Sequence, residues 1–142
     1  MREIKFRGRD KLDDGAFSEW LYGSLDLTEY RPIIRPKGGI PETVMPETIG
    51  QYIGLKDKNG TEIYEGDVLE IQTKDYVYQA VVVYVSDLAS FFVSEEPKEY
   101  ISFTDVVFTI DDGGSITVIG NVFDDPELKE QFWEVWNQEN LN

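Results

Sequence analysis

The stretch IGQYIGLKDKNGTEIYEGDVLEI, residues 49 to 71, limits the folds open to this chain more than any other segment. Two β-prone runs flank Asn59-Gly60. Such a pair is the strongest short-range hairpin signal, because a type I′ turn needs positive φ at both central residues. Glu65-Gly66-Asp67 supplies a second turn before Val68-Leu69-Glu70-Ile71. Gly50, Gly54, Gly60 and Gly66 therefore read as corner residues of a tight sheet.

Further β-prone runs follow at 76–86, 90–95, 100–110 and 115–123, separated by Gly, Asp and Pro. Short strands at this spacing predict a small antiparallel barrel or strongly bent sheet. Asp111, Gly113 and Gly114 read as a hairpin turn into the last run, and Gly120 as a bend within it. The segment AVVVYV, 80 to 85, is apolar on both faces. It is either a central strand covered on both sides or a strand with one face buried by a partner subunit.

Upstream, EIKFRGR alternates as a half-buried strand, with Ile4 and Phe6 inward and basic residues outward. A turn around Asp14-Gly15 leads to a second strand at 20–27. Residues 31–48 hold four prolines and a Gly-Gly pair, which makes them a connector with at most short extended pieces. The C-terminal segment reads as a helix. Asp125 suits the N-cap, Pro126 the first helical position and Glu127 the positive end of the dipole. Leu128, Phe132, Val135 and Trp136 share one face, with Trp133 at its edge. Packing on the chain's own sheet is the first reading of that face, and an interface with another chain the second.

Composition closes off several chemistries. The chain has no histidine and no cysteine, which excludes Ser-His-Asp and Cys-His nucleophiles, disulfides and the usual zinc and haem sites. No apolar run approaches the length of a membrane span, and MREIKFRGRDK lacks the features of a signal peptide, so a cytoplasmic protein is expected. The net charge of −15 is uneven. Residues 1–60 hold ten Lys+Arg and ten Asp+Glu, whereas residues 61–142 hold three Lys and eighteen Asp+Glu. That half should repel a phosphate backbone. Solubility is the simpler reading of the acidic surface, and a face for a basic partner the sharper one. Arg2, Lys5, Arg7, Arg9 and Lys11 form a modest basic stripe, read as a solvated edge.

No motif carries catalysis. The carboxylate pairs Asp13-Asp14, Glu95-Glu96, Asp111-Asp112 and Asp124-Asp125 are neighbours in sequence, and neighbours on a strand point to opposite faces. DDGGS, 111 to 115, lacks the spacing of a calcium loop. No phosphate-binding glycine motif is present. Tyr76, Tyr78 and Tyr84 would suit base stacking, but they sit in the acidic half beside Lys74 alone.

MREIKFRG, WLYGSL, PETIGQYIGLKDKNGTEIYEGDVLEI and VIGNVFDDPEL together resemble the YopX-like proteins of phages and prophages in low-GC Gram-positive bacteria. Residues 72 to 114 match no motif of the family. The resemblance implies an SH3-like barrel component and homo-oligomeric assembly, and it implies neither enzymatic activity nor catalytic residues. The expected fold is mainly β: an N-terminal hairpin with its Pro-rich connector (1–46), an SH3-like barrel (47–123) and an amphipathic helix (124–142), packed as one compact unit.

The expected function is that of a non-enzymatic phage or prophage protein that binds protein, itself included, with no cofactor and no metal. Candidate interface residues are Tyr52, Tyr64, Val81, Val83, Trp133 and Trp136; Tyr52, Lys56, Tyr64 and Asp67 could line a surface site. Structural turns are expected at Gly54, Asn59, Gly60, Gly66, Asp67, Asp111, Gly113, Gly114 and Gly120. The alternatives are nucleic-acid binding through the basic N-terminal strand, acidic mimicry directed at a basic host protein, and a metal-assisted carboxylate hydrolase.

Overall fold

The structure is a computed structural model that describes residues 1–140. It is mainly β, with two antiparallel sheets and two helices, and no closed barrel forms among the described residues. The chain makes two compact units, Met1–Gly54 and Leu55–Asn142. The division falls inside a strand rather than in the Pro-rich connector.

The first unit holds β1 (Phe6–Gly8), β2 (Leu21–Asp26), β3 (Ile33–Arg35), β4 (Glu42–Thr43) and most of β5 (Gly50–Lys56). Its sheet runs in the order β4-β3-β2-β1-β5. The prolines of the connector flank β3 and β4 and keep them to three and two residues. Ile34 and Val44 are fully buried within this unit.

The second unit holds β6 (Glu62–Tyr64), β7 (Asp67–Gln72), β8 (Val77–Val85), β9 (Ser90–Ser94), β10 (Ile101–Ser102), α1 (Phe103–Asp111), β11 (Ser115–Asn121) and α2 (Pro126–Asn140). Its five-stranded sheet is open, in the order β10-β9-β8-β7-β11. Strand β8 lies at its centre. Val81, Val83 and Val85 pack with Leu128, Phe132, Val135 and Trp136 of α2. Asp125 caps that helix through bonds to its side-chain Oδ1 from the amides of Glu127 (3.0 Å) and Leu128 (3.3 Å).

The residues of opposite parity on β8 are buried as well. Ala80 stands across from Leu69, and Val82 across from Val93, all four without solvent exposure. Residues 80–83 and Val85 are therefore buried within the chain, on both faces of the strand, while Tyr84 stays 37% exposed.

Three expectations are corrected. The run 100–110, read as a strand, becomes two residues of β10 followed by helix α1. Its ends explain why. The Ser102 hydroxyl accepts the Asp105 amide at 3.2 Å, and Gly113 takes φ 91° just past the C-cap. The Gly113 amide bonds the Ile110 carbonyl (3.0 Å) and the Gly114 amide the Thr109 carbonyl (2.8 Å), the paired bonds of a Schellman ending. Gly114 has a different reason to lack a side chain, since a Cβ there would lie 2.2 Å from the Gln72 carbonyl oxygen. Residues 111–115 are thus a helix end rather than a hairpin turn.

The Asn59-Gly60 turn is also not type I′. Gly60 has φ 81°, but Asn59 is not among the positive-φ residues. The Gly60 amide bonds the Asp57 carbonyl at 3.0 Å and the Asp57 amide the Thr61 carbonyl at 2.8 Å, which is a type I turn closed by a glycine bulge. Asp57 decides this. Its Oδ1 accepts the amides of Asn59 (2.8 Å) and Thr61 (2.9 Å), and its Oδ2 accepts the Val118 amide of β11 (2.9 Å). Burial alone would raise the pKa of this carboxyl, but the amide donors outweigh it and hold it below the ordinary carboxylate range.

The third correction concerns the N-terminal strand, whose two central arginines are not solvated. Ile4 is 57% exposed, whereas Arg7 and Arg9 are 5% and 6% exposed. Aromatic rings, rather than a solvated edge, receive these guanidinium groups.

Replacing Asp57 with Asn should cost about 2 kcal/mol, because an amide NH₂ would then face a backbone N–H. A carboxyl with a lowered folded pKa stabilises fully above its unfolded value of about 4, and that stability is lost as pH falls through the folded value. Urea denaturation from pH 7 to pH 2 should therefore show a shallower acid loss in Asp57→Asn than in the native chain. Parallel curves would contradict this role for Asp57.

Candidate functional site: the outward side of helix α1

In the first unit, the basic stripe is built into a ladder of cations and rings. Lys5 Nζ lies 5.7 Å from the Tyr52 ring centre, and the Arg7 guanidinium 4.8 Å from that of Trp20. The Arg9 guanidinium stacks between Phe17 (4.1 Å) and Trp20 (4.6 Å), and Lys11 Nζ lies 5.9 Å from Phe17. Arginine is weakly hydrated and planar, so it tolerates this burial where a lysine would resist it. The two arginines at the centre of the stripe are thus buried against rings of the first unit.

Two acids of that unit, Asp10 and Asp26, are engaged too. Arg31 holds Asp10 at 2.8 Å, which lowers the Asp10 pKa. Asp26 falls to about 2, first through the Thr28 hydroxyl, then through the Thr28 amide and Arg35.

The candidate interface residues separate in the structure. Tyr52 is buried in the first unit; Tyr64, Val81, Val83 and Trp136 are buried in the second. Their side chains are spent on the chain's own core. Trp133 is half-buried at the edge of the α2 cluster, with Lys129 Nζ 4.9 Å from its ring centre. Asp67 is buried and accepts the Tyr64 amide at 2.8 Å, closing the turn that contains Gly66. Lys56 ends β5. Positive φ occurs at Gly54, Gly60, Gly66, Gly113 and Gly120 among the expected turn residues.

Helix α1 gathers side chains that sequence reasoning missed. It rests against β9, β10 and β11 and buries only Val106. Phe103, Thr104, Val107, Phe108 and Asp111 lie on its other side, where they line a shallow hollow of about 420 Å³. Phe108 is 66% exposed and Val107 37%. The start of β8 holds two rings: Tyr76, just ahead of the strand and 63% exposed, lies 5.8 Å from Tyr78, centre to centre. A Lys74–Asp112 ion pair of 3.0 Å ties the β7–β8 turn to the end of α1. Burial first, then Tyr76 and the carboxylates Glu95 and Asp105, raise the Tyr78 pKa. The signals that would have revealed this surface are Ser102-x-x-Asp105 as a cap and Gly113-Gly114 as a helix end.

A second hollow, of about 670 Å³, is lined by Asp87, Leu88, Lys98, Tyr100 and Glu139, among others. The Tyr100 hydroxyl donates to Glu139 Oε1, and this bond is the main cause pushing the Tyr100 pKa up to about 12.

With these arrangements in view, comparison with known proteins is informative. The model of the YopX protein family matches residues 6–130. The chain belongs to the YopX family. Among solved structures, protein EF1440 from Enterococcus faecalis is similar, with 24% identity and a TM-score of 0.52 over 90% of this chain and 99% of that one. That likeness shows the fold. No curated protein matches the chain. Among the described residues, no helix is long and apolar enough to cross a membrane.

The two sides of α1 should respond oppositely to truncation. Val106→Ala should lower stability by about 2 kcal/mol, whereas Phe108→Ser should change it by less than about 0.5 kcal/mol. Denaturant midpoints of the two variants test this, and a large loss in Phe108→Ser would show that the ring belongs to the core.

Proposed function

We propose that this YopX-family chain is a non-enzymatic protein-interaction module whose contact surface is the outward side of α1, extended by Tyr76. The observation that carries the reading is the exposure of Val107 and Phe108, which line one hollow together with Phe103 on a helix that buries Val106 alone. Single exposed apolar residues are ordinary, but a contiguous apolar patch rimmed by polar groups marks an interaction surface. The carboxyls with shifted pKa add support. Asp10, Asp26 and Asp57 are all lowered, each by a structural partner, which is opposite to the shift a general acid needs. A phage or prophage setting, implied by the resemblance, accommodates either a viral or a host partner.

Self-association is the second reading, favoured by the Phe103, Val107 and Phe108 lining, which suits an isologous helix–helix contact. Such a pair must bring like charges together, so screening should promote it. Light scattering after size exclusion should show monomer at about 0.15 M NaCl and a rising mass near 1 M, where the Debye length is about 3 Å. Phe108→Glu should abolish that rise. A monomer at every salt and concentration removes the self-association reading. The interaction-module reading fails as a whole if Phe108→Glu captures the same proteins from a host lysate as the native chain.

A further inference from the structure

Resting on the reading of α1 as a contact surface, we infer that its occupant is a basic amphipathic segment of another protein. That segment would seat apolar side chains on Phe103, Val107 and Phe108 and Lys or Arg against the acidic rim. The inference begins with charge. Residues 55–142 hold nineteen Asp+Glu and five Lys, a balance of −14, whereas residues 1–54 hold nine Asp+Glu and eight Lys+Arg. The excess acid therefore lies in the unit that carries the exposed helix.

Its placement around that helix is specific. Asp111 lines the hollow itself, one helical turn beyond Val107. Asp105 lies in the first turn, and Asp112 is the C-cap. Asp75 precedes Tyr76 on the adjacent turn. The nearby lysine, Lys74, is held by Asp112 at 3.0 Å. The C-terminal end of α1 adds the negative pole of the helix dipole at the same place as Asp111 and Asp112.

Exposed rings strengthen the preference for a cation. Tyr76 and Phe108 are more than half exposed, and an aromatic face attracts ammonium or guanidinium groups most when carboxylates stand beside it. The same field disfavours the competing occupants. Nucleic acid would meet carboxylates where it needs cations. A second copy would set Asp105, Asp111 and Asp112 against their own equivalents. A basic segment gains on both counts, and helix-in-groove docking of an apolar stripe with flanking charges is a recurring mode of peptide recognition. A nine-residue helix offers a small area, so the contact should be transient, with micromolar affinity.

The probe is a fluorescein-labelled 14-residue Leu/Lys amphipathic peptide, compared with its Leu/Glu counterpart by anisotropy against the full chain. The basic peptide should bind with micromolar Kd at about 50 mM salt and weaken about tenfold by 0.5 M, since its charges are screened. Phe108→Ser should weaken it about tenfold, and Asp111→Asn about threefold. The acidic peptide should not bind. Basic-peptide binding that ignores Phe108→Ser would place it elsewhere on the acidic surface and overturn the inference. Equal binding of both peptides, lost in Phe108→Ser, would also overturn it while leaving α1 as the contact surface. Absence of binding by both peptides overturns it too; the lysate comparison with Phe108→Glu then decides separately whether the contact surface itself stands.

Discussion

The burial of β8 on both faces is the constraint on which the second unit depends. A strand with Val81, Val82 and Val83 in succession cannot leave either face in water, since each exposed valine forfeits about 1.5 kcal/mol or more. One parity is covered by α2, whose Leu128, Phe132, Val135 and Trp136 form the stripe that meets Val81, Val83 and Val85. The other parity, with Ala80, Val82, Leu69 and Val93, is equally dry. Helix α1 packs on β9, β10 and β11 of the same sheet and contributes Val106. Nine residues give a helix of about 13 Å, enough to offer one apolar anchor inward but too short to turn every apolar side chain away from water. Phe108 and Val107 are what this solution leaves outside.

Electrostatics divides the two units in a different way. The first unit uses its ions locally: Arg7 and Arg9 are spent on Trp20 and Phe17, Arg31 on Asp10, and Arg35 on Asp26. Exposed pairs such as Arg35–Asp26 contribute little to stability, while the buried Arg–aromatic stack organises a sheet of very short strands. In the second unit several acids have internal work: Asp57, Asp67 and Asp125 accept backbone amides and Glu139 accepts the Tyr100 hydroxyl. Most of the rest face outward without enough lysines to offset them. A surface of this kind discriminates among partners by charge and adds little affinity of its own.

What could be read from the sequence was what rests on local chemistry. The Asp125-Pro126-Glu127 start and the four-residue stripe of α2 were legible because a cap and a 3.6-residue period are both local. Strands β2, β7, β8, β9 and β11 followed from runs of apolar, β-branched or aromatic residues between turn residues. Three features went against the first reading of their segments. Residues 103–111 are rich in Phe, Val, Thr and Ile, which favour strands, yet a serine cap and a glycine ending overrule that preference. Asn59 keeps negative φ because the Asp57 carboxylate gathers the turn amides and binds β11, sixty-one residues away. Arg7 and Arg9 turn inward because Trp20 and Phe17, brought by another part of the first unit, supply faces for them. The contact surface on α1 depends on the first of these, so it was hidden with it.

The central claim is that the outward side of α1 is where this chain meets its partner. Backbone amide chemical-shift mapping of the ¹⁵N-labelled full chain, titrated with the basic amphipathic peptide, tests it most directly. The account predicts the largest shifts at Phe103–Asp112 and at Asp75–Tyr78, with β1 and the buried face of α2 unmoved. Shifts centred instead on α2 around Trp133, or on the first unit, would contradict it.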